Sequence, residues 1–352
     1  FELFLGRGRH FIGEGYRSMF LSDYTSNYNY LKADVNVWRI KYIVLYTQMD
    51  QASNYPTKTY PIDKKYSTMH YLSLNVTKWW SIGAFEAVVW EAEDSVVNRR
   101  IDINYANTLI FFRPVEYSMG SSDNSLLVFS STLRPFKGVT LYGQILLDEF
   151  LFGEWSAPFR VRLLGDSTLQ TGYWANKQSY QLGVKILEPL GLKNASFVAE
   201  FNAVRPFTYG HSNATQSYTN ANQPLAHPLG SNFIEWVQIT TWQPGKFNFG
   251  LFTTYSRKGF TNSIAVMGDD VLISNTERDL GQREYGNFML QGRRVDVANI
   301  RLNAGYELVS QWNLRLDATI YYRLERSAVK TNEMVFFGLG LSTALWNNYL
   351  NL

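Results

Sequence analysis

The sequence predicts an all-β chain folded as a transmembrane antiparallel β-barrel of about 16–18 strands, with short periplasmic turns at one end and long extracellular loops at the other. Three observations carry this expectation. Apolar and polar residues alternate with period two in segment after segment. The connections between those segments alternate between short and long. The composition is rich in aromatic residues and poor in charge.

Aromatics make up 16% of the 352 residues, with 23 Tyr, 23 Phe and 10 Trp, while charged residues reach only 18%, against about 25% in an ordinary soluble domain. A lipid-facing surface needs few charges, and aromatic girdles at the two membrane interfaces consume Tyr, Trp and Phe. Composition alone also admits an aromatic-rich soluble β-sandwich such as a secreted lectin. The alternation is more specific. Leu314, Leu316, Ala318, Ile320, Tyr322 and Leu324 share one face, and Arg315, Asp317, Thr319, Tyr321 and Arg323 the other. The same pattern sets Ile300, Leu302, Ala304, Tyr306 and Leu308 against Arg301, Asn303, Gly305 and Glu307. It sets Val139, Leu141, Gly143, Ile145 and Leu147 against Thr140, Tyr142, Gln144 and Asp148, and it gives Val335, Phe337, Leu339 and Leu341 the apolar face of a last strand.

Short turns are expected near Trp38-Arg39, Lys78-Trp79, 136–138, 189–193, Pro244-Gly245 and 310–313, with long connections at 50–66, 92–122, 150–176, 205–231 and 258–290. A sandwich has no reason to keep short turns on one side and long loops on the other, whereas an outer-membrane barrel does. Six hairpins and two terminal segments leave room for further strands inside the long stretches, for instance at 101–112. The direction of travel puts the C-terminal strand's end on the short-turn side. The whole chain, 1–352, reads as a single barrel domain. It opens at Phe1 without a Met, so its export signal and start are expected to be missing from view. No apolar run reaches the roughly 18 residues of a spanning helix, and no helical stripe persists.

Several chemistries are disfavoured. The net charge of +3 is too small for a nucleic-acid partner, and Arg99-Arg100 and Arg293-Arg294 read as loop charges. There are no cysteines, which removes disulfides and Cys-ligated metals and suits an oxidising compartment. His10, His70, His211 and His227 show no metal-ligand spacing, and no cofactor is expected. His70 falls in an alternating strand and reads as a wall or lumen residue. No nucleophile elbow occurs. Gly6-Arg7-Gly8 lacks the spacing of a phosphate loop. Asp148-Glu149 and Glu91, Glu93 and Asp94 read as strand-end or lumenal charges rather than a glycosidase pair. The chain is therefore not expected to be an enzyme. Lumen-facing Arg301, Glu307, Arg315, Asp317 and Arg323 read as internal ion pairs, or alternatively as the lining of a path.

The loops hold the richest chemistry. Residues 205–231 read RPFTYGHSNATQSYTNANQPLAHPLGS and combine Arg205, His211, Asn222, Gln223 and His227 with Phe207 and Tyr209; residues 172–178 read GYWANKQ, with Trp174, Asn176 and Lys177. Amides hydrogen-bond sugar hydroxyls and aromatic rings stack on apolar sugar faces. The same residues would also serve to pack the loops together and close the barrel mouth.

Five blocks carry a resemblance: GRGRHFIGEGYRSMFLSD at 6–23, YLSLNVTKWWSIGAFEAVVW at 71–90, FFRPVEYSMGSSDNSLL at 111–127, LYGQILLDEF at 141–150 and NQPLAHPLGSNFIEW at 222–236. Together they resemble the capsule-assembly Wzi-like family, in its Bacteroidetes branch, some members of which are labelled gliding-motility proteins of the RemB type. The resemblance implies a barrel of about eighteen strands in the cell outer membrane. It implies a non-enzymatic, lectin-like role in holding exported polysaccharide at the cell surface. Its matching segments contain Arg9, Glu14, Arg17, Arg113, Glu116, Asp123, Asn124, Arg205, His211 and His227, which would face glycan or brace the lumen. Enterobacterial members carry an N-terminal helical element that this sequence does not display. The expected partners are outer-membrane lipid, surface polysaccharide and other outer-membrane proteins. The rival readings are an accessory subunit of an outer-membrane complex, for secretion, gliding or barrel assembly, and a diffusion channel.

Overall fold

The computed structural model describes residues 1–52, 62–92, 102–106, 123–149, 151–166, 168–262, 265–277, 284–312 and 314–343. Fourteen strands form one antiparallel sheet in simple up-and-down order. They are β1 (Glu2–Gly8), β2 (Tyr28–Val37), β3 (Ile40–Ala52), β4 (Ile62–Asn75), β5 (Trp80–Glu91), β6 (Asn124–Phe136), β7 (Val139–Leu147), β8 (Gln178–Leu187), β9 (Ala195–Val204), β12 (Phe233–Trp242), β13 (Phe247–Phe260), β14 (Arg293–Val309), β15 (Leu314–Ser327) and β16 (Thr331–Ser342). The two-residue strands β10 (Thr219–Asn220) and β11 (Gln223–Pro224) pair with each other apart from this wall. Among the described residues β1 and β16 are the two edges of the sheet and do not pair with one another.

The alternation read from the sequence is the inward–outward alternation of this wall. Ladder pairing sets Leu302 beside Ile320 and Ile320 beside Phe337 on the outer face, and Arg301 beside Tyr321 on the inner face. All six expected short turns are present between consecutive strands. The alternation of short and long connections has one exception. Residues 328–330 join β15 to β16 on the long-loop side, closed by Ser327, whose backbone N–H donates to the Lys330 carbonyl at 2.8 Å. Of the extra strand expected at 101–112, only 102–106 is described, and Ile103–Ala106 is a 3-10 turn.

A further feature is a helix, α1 (Phe152–Leu164), inside the long connection expected at 150–176. Pro158 lies within it and Gly165 ends it in the left-handed conformation at φ 68°, the usual glycine stop. Proline and the lack of a periodic apolar stripe hid this helix from the sequence.

The outer face carries the marks of a lipid-facing wall. Large aromatics crowd the short-turn end: Trp38, Trp79, Phe136, Phe247 and Trp312 are 83%, 52%, 74%, 49% and 62% exposed, one at each of five turns. Farther up the wall, Trp236 packs on Phe201 with ring centroids 4.5 Å apart. Trp236 and Trp242 lie on the same outward row of β12, six residues or about 20 Å apart along the strand. Amphipathic rings gather where hydrocarbon gives way to headgroups. No helix of the described residues is long and apolar enough to cross a membrane, so any crossing is made by strands.

The core lies inside the wall. Met19, Phe20 and Leu21 are fully buried against Met69, Phe85, Val128 and Leu146, whose side chains point inward from β4, β5, β6 and β7. Tyr209, Tyr218, Leu225 and Phe233 join the same cluster. Two connections, 9–27 and 205–232, thus fold back between the strands and supply the apolar filling a wide barrel otherwise lacks. One stretch packs on the outside instead. Tyr105 is fully buried and lies 4.9 Å from Trp90 on the outward row of β5, while Thr68 Oγ1 donates to the Tyr105 carbonyl at 2.9 Å. His70 shares that outward row of β4, opposite Glu86, and is buried; it is a wall residue and does not face the lumen.

Candidate functional site

The inward face is apolar along the middle of β4–β7, where Met69, Phe85, Val128 and Leu146 lie, and polar along β7–β12, and the polar side holds the plug segment 9–27. Glu200 of β9 is 1% exposed, yet its Oε2 accepts hydrogen bonds from the Tyr16 backbone N–H at 2.7 Å and the Tyr142 hydroxyl at 2.8 Å. Its Oε1 accepts from the Arg17 backbone N–H at 3.1 Å and from Asn202 Nδ2 at 2.8 Å. Glu235 of β12, 3% exposed, accepts a bidentate pair from Arg17, Nε at 3.1 Å and Nη2 at 2.9 Å. A buried carboxylate is tolerated only when its lone pairs are spoken for, and here donors from the plug and the wall fill them.

Small residues make this arrangement fit. Tyr142 of β7 must cross β8 to reach Glu200 on β9. Its ladder partner on β8 is Gly183, where a Cβ would stand 2.2 Å from the Tyr142 ring. Gly15 does the same on the plug: a Cβ there would stand only 2.6 Å from the Arg17 carbonyl and would crowd Glu200.

His227 is the third member. It is fully buried, its Nε2 lies 2.8 Å from Glu235 Oε2, and its Nδ1 accepts the Leu229 backbone N–H at 3.1 Å. Burial pushes the imidazole below its ordinary range, against the pull of Glu235. An accepting Nδ1 and a donating Nε2 describe the neutral tautomer, so among the described residues the cation on Glu235 is Arg17. Glu235 Oε2 also accepts a longer bond from Asn202 Nδ2 at 3.3 Å, so Asn202 spans both carboxylates.

The other residues singled out from the sequence fall into three places. At the rim, Asp123 accepts from the Tyr105 hydroxyl at 2.7 Å and from Gln216 Nε2 at 3.2 Å, and Asn124 Nδ2 donates to the Gln216 carbonyl at 3.0 Å. Asp123 therefore ties the outer flap to the inner loop. At the mouth, Lys177 is fully buried and donates from Nζ to Glu149 at 2.7 Å and to the Gly210 carbonyl at 3.0 Å, lying 5.4 Å from the Trp174 ring centroid. Trp174 meets Phe207 edge to face. Asn176 accepts from the Leu151 N–H at 3.2 Å, and its carbonyl accepts from Arg205 Nε at 2.8 Å. His211, half-buried beside them, is lowered to about 4 by burial and then by the neighbouring Lys177 charge. At the surface, Asn222 Oδ1 accepts from Gln51 Nε2 at 2.8 Å, Gln223 Oε1 accepts from the Ser26 N–H at 2.9 Å, and Arg9 and Glu14 are exposed. Arg113 and Glu116 lie outside the described residues, as do Glu93, Asp94 and Arg99-Arg100.

The structure thus brings Arg17 and His227 together on one carboxylate, and Trp174, Asn176, Lys177, Arg205 and His211 into one braced cap. Sequence reasoning missed Glu200, Glu235, Tyr142 and Asn202. For Tyr142, Glu200 and Asn202 the signal was present, since each is a polar residue at an inward position of a strand whose outward positions are apolar; for Glu235 it was not, because the outward row of β12 also holds Gln238 and Thr240. Among the described residues no group of His, Asp and Glu is arranged to hold a metal ion.

Comparison with solved structures fits this geometry. Over 96% of its length the chain superposes on Wzi, an outer-membrane protein involved in group 1 capsule assembly in Escherichia coli and described as a carbohydrate-binding β-barrel, with a TM-score of 0.59 and 13% sequence identity. The chain spans 66% of the length of that Wzi chain. OprD of Pseudomonas aeruginosa aligns over 92% of this chain and 72% of its own at a TM-score of 0.39 and 10% identity, too low a score to carry an argument. No family model and no curated protein sequence matches the chain. The shared fold is that of an outer-membrane β-barrel.

Among the described residues Arg17 is the only cation on buried Glu235, so Arg17→Met is expected to cost about 3 kcal/mol, read as a lower urea midpoint for the protein refolded in micelles. Adding Glu235→Gln should restore part of that loss. An unchanged midpoint for Arg17→Met would contradict the assignment.

Proposed function

We propose that this protein sits in the cell outer membrane and binds or anchors exported polysaccharide at the surface, without catalysing a reaction. The observation that carries the reading is the filled lumen. Two connections are folded inside the wall, locked by Arg17, Tyr16 and His227 on two buried carboxylates. On the plugged side the barrel spends its inward polar groups on holding its own chain, which suits a surface-binding body better than a diffusion channel. The likeness in fold to a carbohydrate-binding barrel supports the same reading. The resemblance of the sequence blocks to the Bacteroidetes, RemB-type branch is part of this proposal, and lipid and polysaccharide are its partners.

Deleting the gene should leave polysaccharide synthesised but released into the medium. The measurement is the ratio of cell-bound to free polysaccharide, and a normal ratio in the deletion strain would refute the reading.

One feature favours a second reading, an accessory subunit of an outer-membrane assembly. On α1, Phe159, Leu163 and Leu164 are 65%, 62% and 74% exposed, more apolar surface than an isolated loop helix usually shows. Affinity purification in mild detergent is expected to retain a stoichiometric partner under this reading and to yield the chain alone otherwise.

A further inference from the structure

The inner face of the last four strands is organised differently from the plugged side. Ladder pairing aligns Phe252 of β13, Arg301 of β14, Tyr321 of β15 and Phe336 of β16 in one row across the sheet. The row continues onto the plug, where Tyr16 lies 5.5 Å from Phe252 by ring centroids. Arg301 sits 5.1 Å over the Phe252 ring, and no carboxylate among the described residues pairs with it. With strands about 4.8 Å apart, the four wall positions form a strip about 14 Å long. Tyr16 and Phe336 are 42% and 56% exposed, and Arg301 is exposed.

The inward positions two residues along each strand are Gly250, Asn303, Thr319 and Gly338. They put hydroxyl and amide groups beside the rings; the Phe336 ring itself lies over Gly338, 3.1 Å from where a Cβ would stand, and Gly250 leaves space above the sheet. The outward row behind this strip is fully apolar, with Leu251, Leu302, Ile320 and Phe337. The contrast separates a lipid face from a face made for something polar with apolar patches. The neighbouring inward Arg323 is paired with Glu325 at 2.9 Å, so the row's own charge is that of Arg301.

We propose that this row is a binding track for an acidic polysaccharide. Sugar rings stack their C–H faces on Tyr16, Phe252, Tyr321 and Phe336, and Arg301 takes a uronate carboxylate. Aromatic faces supply stacking and the guanidinium supplies a charge-assisted bond; Asn303 and Thr319 reach the hydroxyls. This inference rests on the polysaccharide-binding reading above and names the chemical class and the place.

The test is calorimetric titration of the purified protein in micelles with three ligands: hexagalacturonate, maltohexaose, and polysaccharide extracted from the surface of the producing cells. Hexagalacturonate should bind at least about tenfold more tightly than maltohexaose. Arg301→Gln and Phe336→Ala should each weaken hexagalacturonate binding by about tenfold, whereas the outward Phe337→Ala should not. Phe336 is exposed enough that its truncation leaves folding intact, and Arg301→Lys should recover part of the loss. Equal binding of the acidic and neutral probes, or no binding of hexagalacturonate, overturns the acidic track. If the cell polysaccharide binds with an affinity unmoved by Arg301→Gln and Phe336→Ala, the track is wrong and the anchoring reading stands. If the cell polysaccharide does not bind at all, both fall.

Discussion

Two carboxylates that point inward from neighbouring strands of the wall organise this molecule. Glu200 and Glu235 are buried, and a buried carboxylate without donors is not tolerated. The segment 9–27 supplies those donors: two backbone N–H groups to Glu200 and a guanidinium fork to Glu235. Once it is so held, its next residues, Met19 to Leu21, are delivered to the apolar half of the lumen. Burying each such side chain contributes about 1.5–3 kcal/mol before the cost of ordering it. Polar anchoring sets the position of the segment, and apolar burial makes the position worth holding.

The wall was legible in the sequence because a strand's two faces alternate with a period that no loop imitates. Leu314 to Leu324 and Ile300 to Glu307 lie in the ladder as read, and the six short turns fall where expected, four of them marked by Gly, Pro or Asn. The filling was not legible. Nothing local marks 9–27 as interior, since its burial comes from donors and acceptors 125 to 218 positions away. The candidate residues of the mouth were recognised by chemical type, which is the same for a sugar-binding amide and for one that braces a loop. The Oδ1 atoms of Asn176 and Asn222 accept hydrogen bonds from neighbouring chain, and only coordinates show that. Helix α1 stayed hidden because local propensity there is weak and Pro158 argues against it.

Polarity is distributed around the barrel in a way that bears on function. Toward β4–β7 the interior is apolar and packed; toward β7–β12 it is polar and saturated; toward β13–β16 it is lined by rings, amides and an exposed guanidinium. The first two sectors pack the plug segment and loop into the barrel interior. The third is where the interior offers unspent binding capacity, and it lies beside the plug, with Tyr16 as the shared residue.

The central claim is that residues 9–27 are part of the barrel interior. Backbone hydrogen exchange of the protein in micelles reports on this directly, since the amides of Ile12, Tyr16, Arg17, Met19, Phe20 and Ser22 are all hydrogen-bonded. The account predicts that peptides covering 12–22 exchange as slowly as those from β7, β8 and β9. Exchange as fast as that of the exposed turn at 188–194 would contradict it.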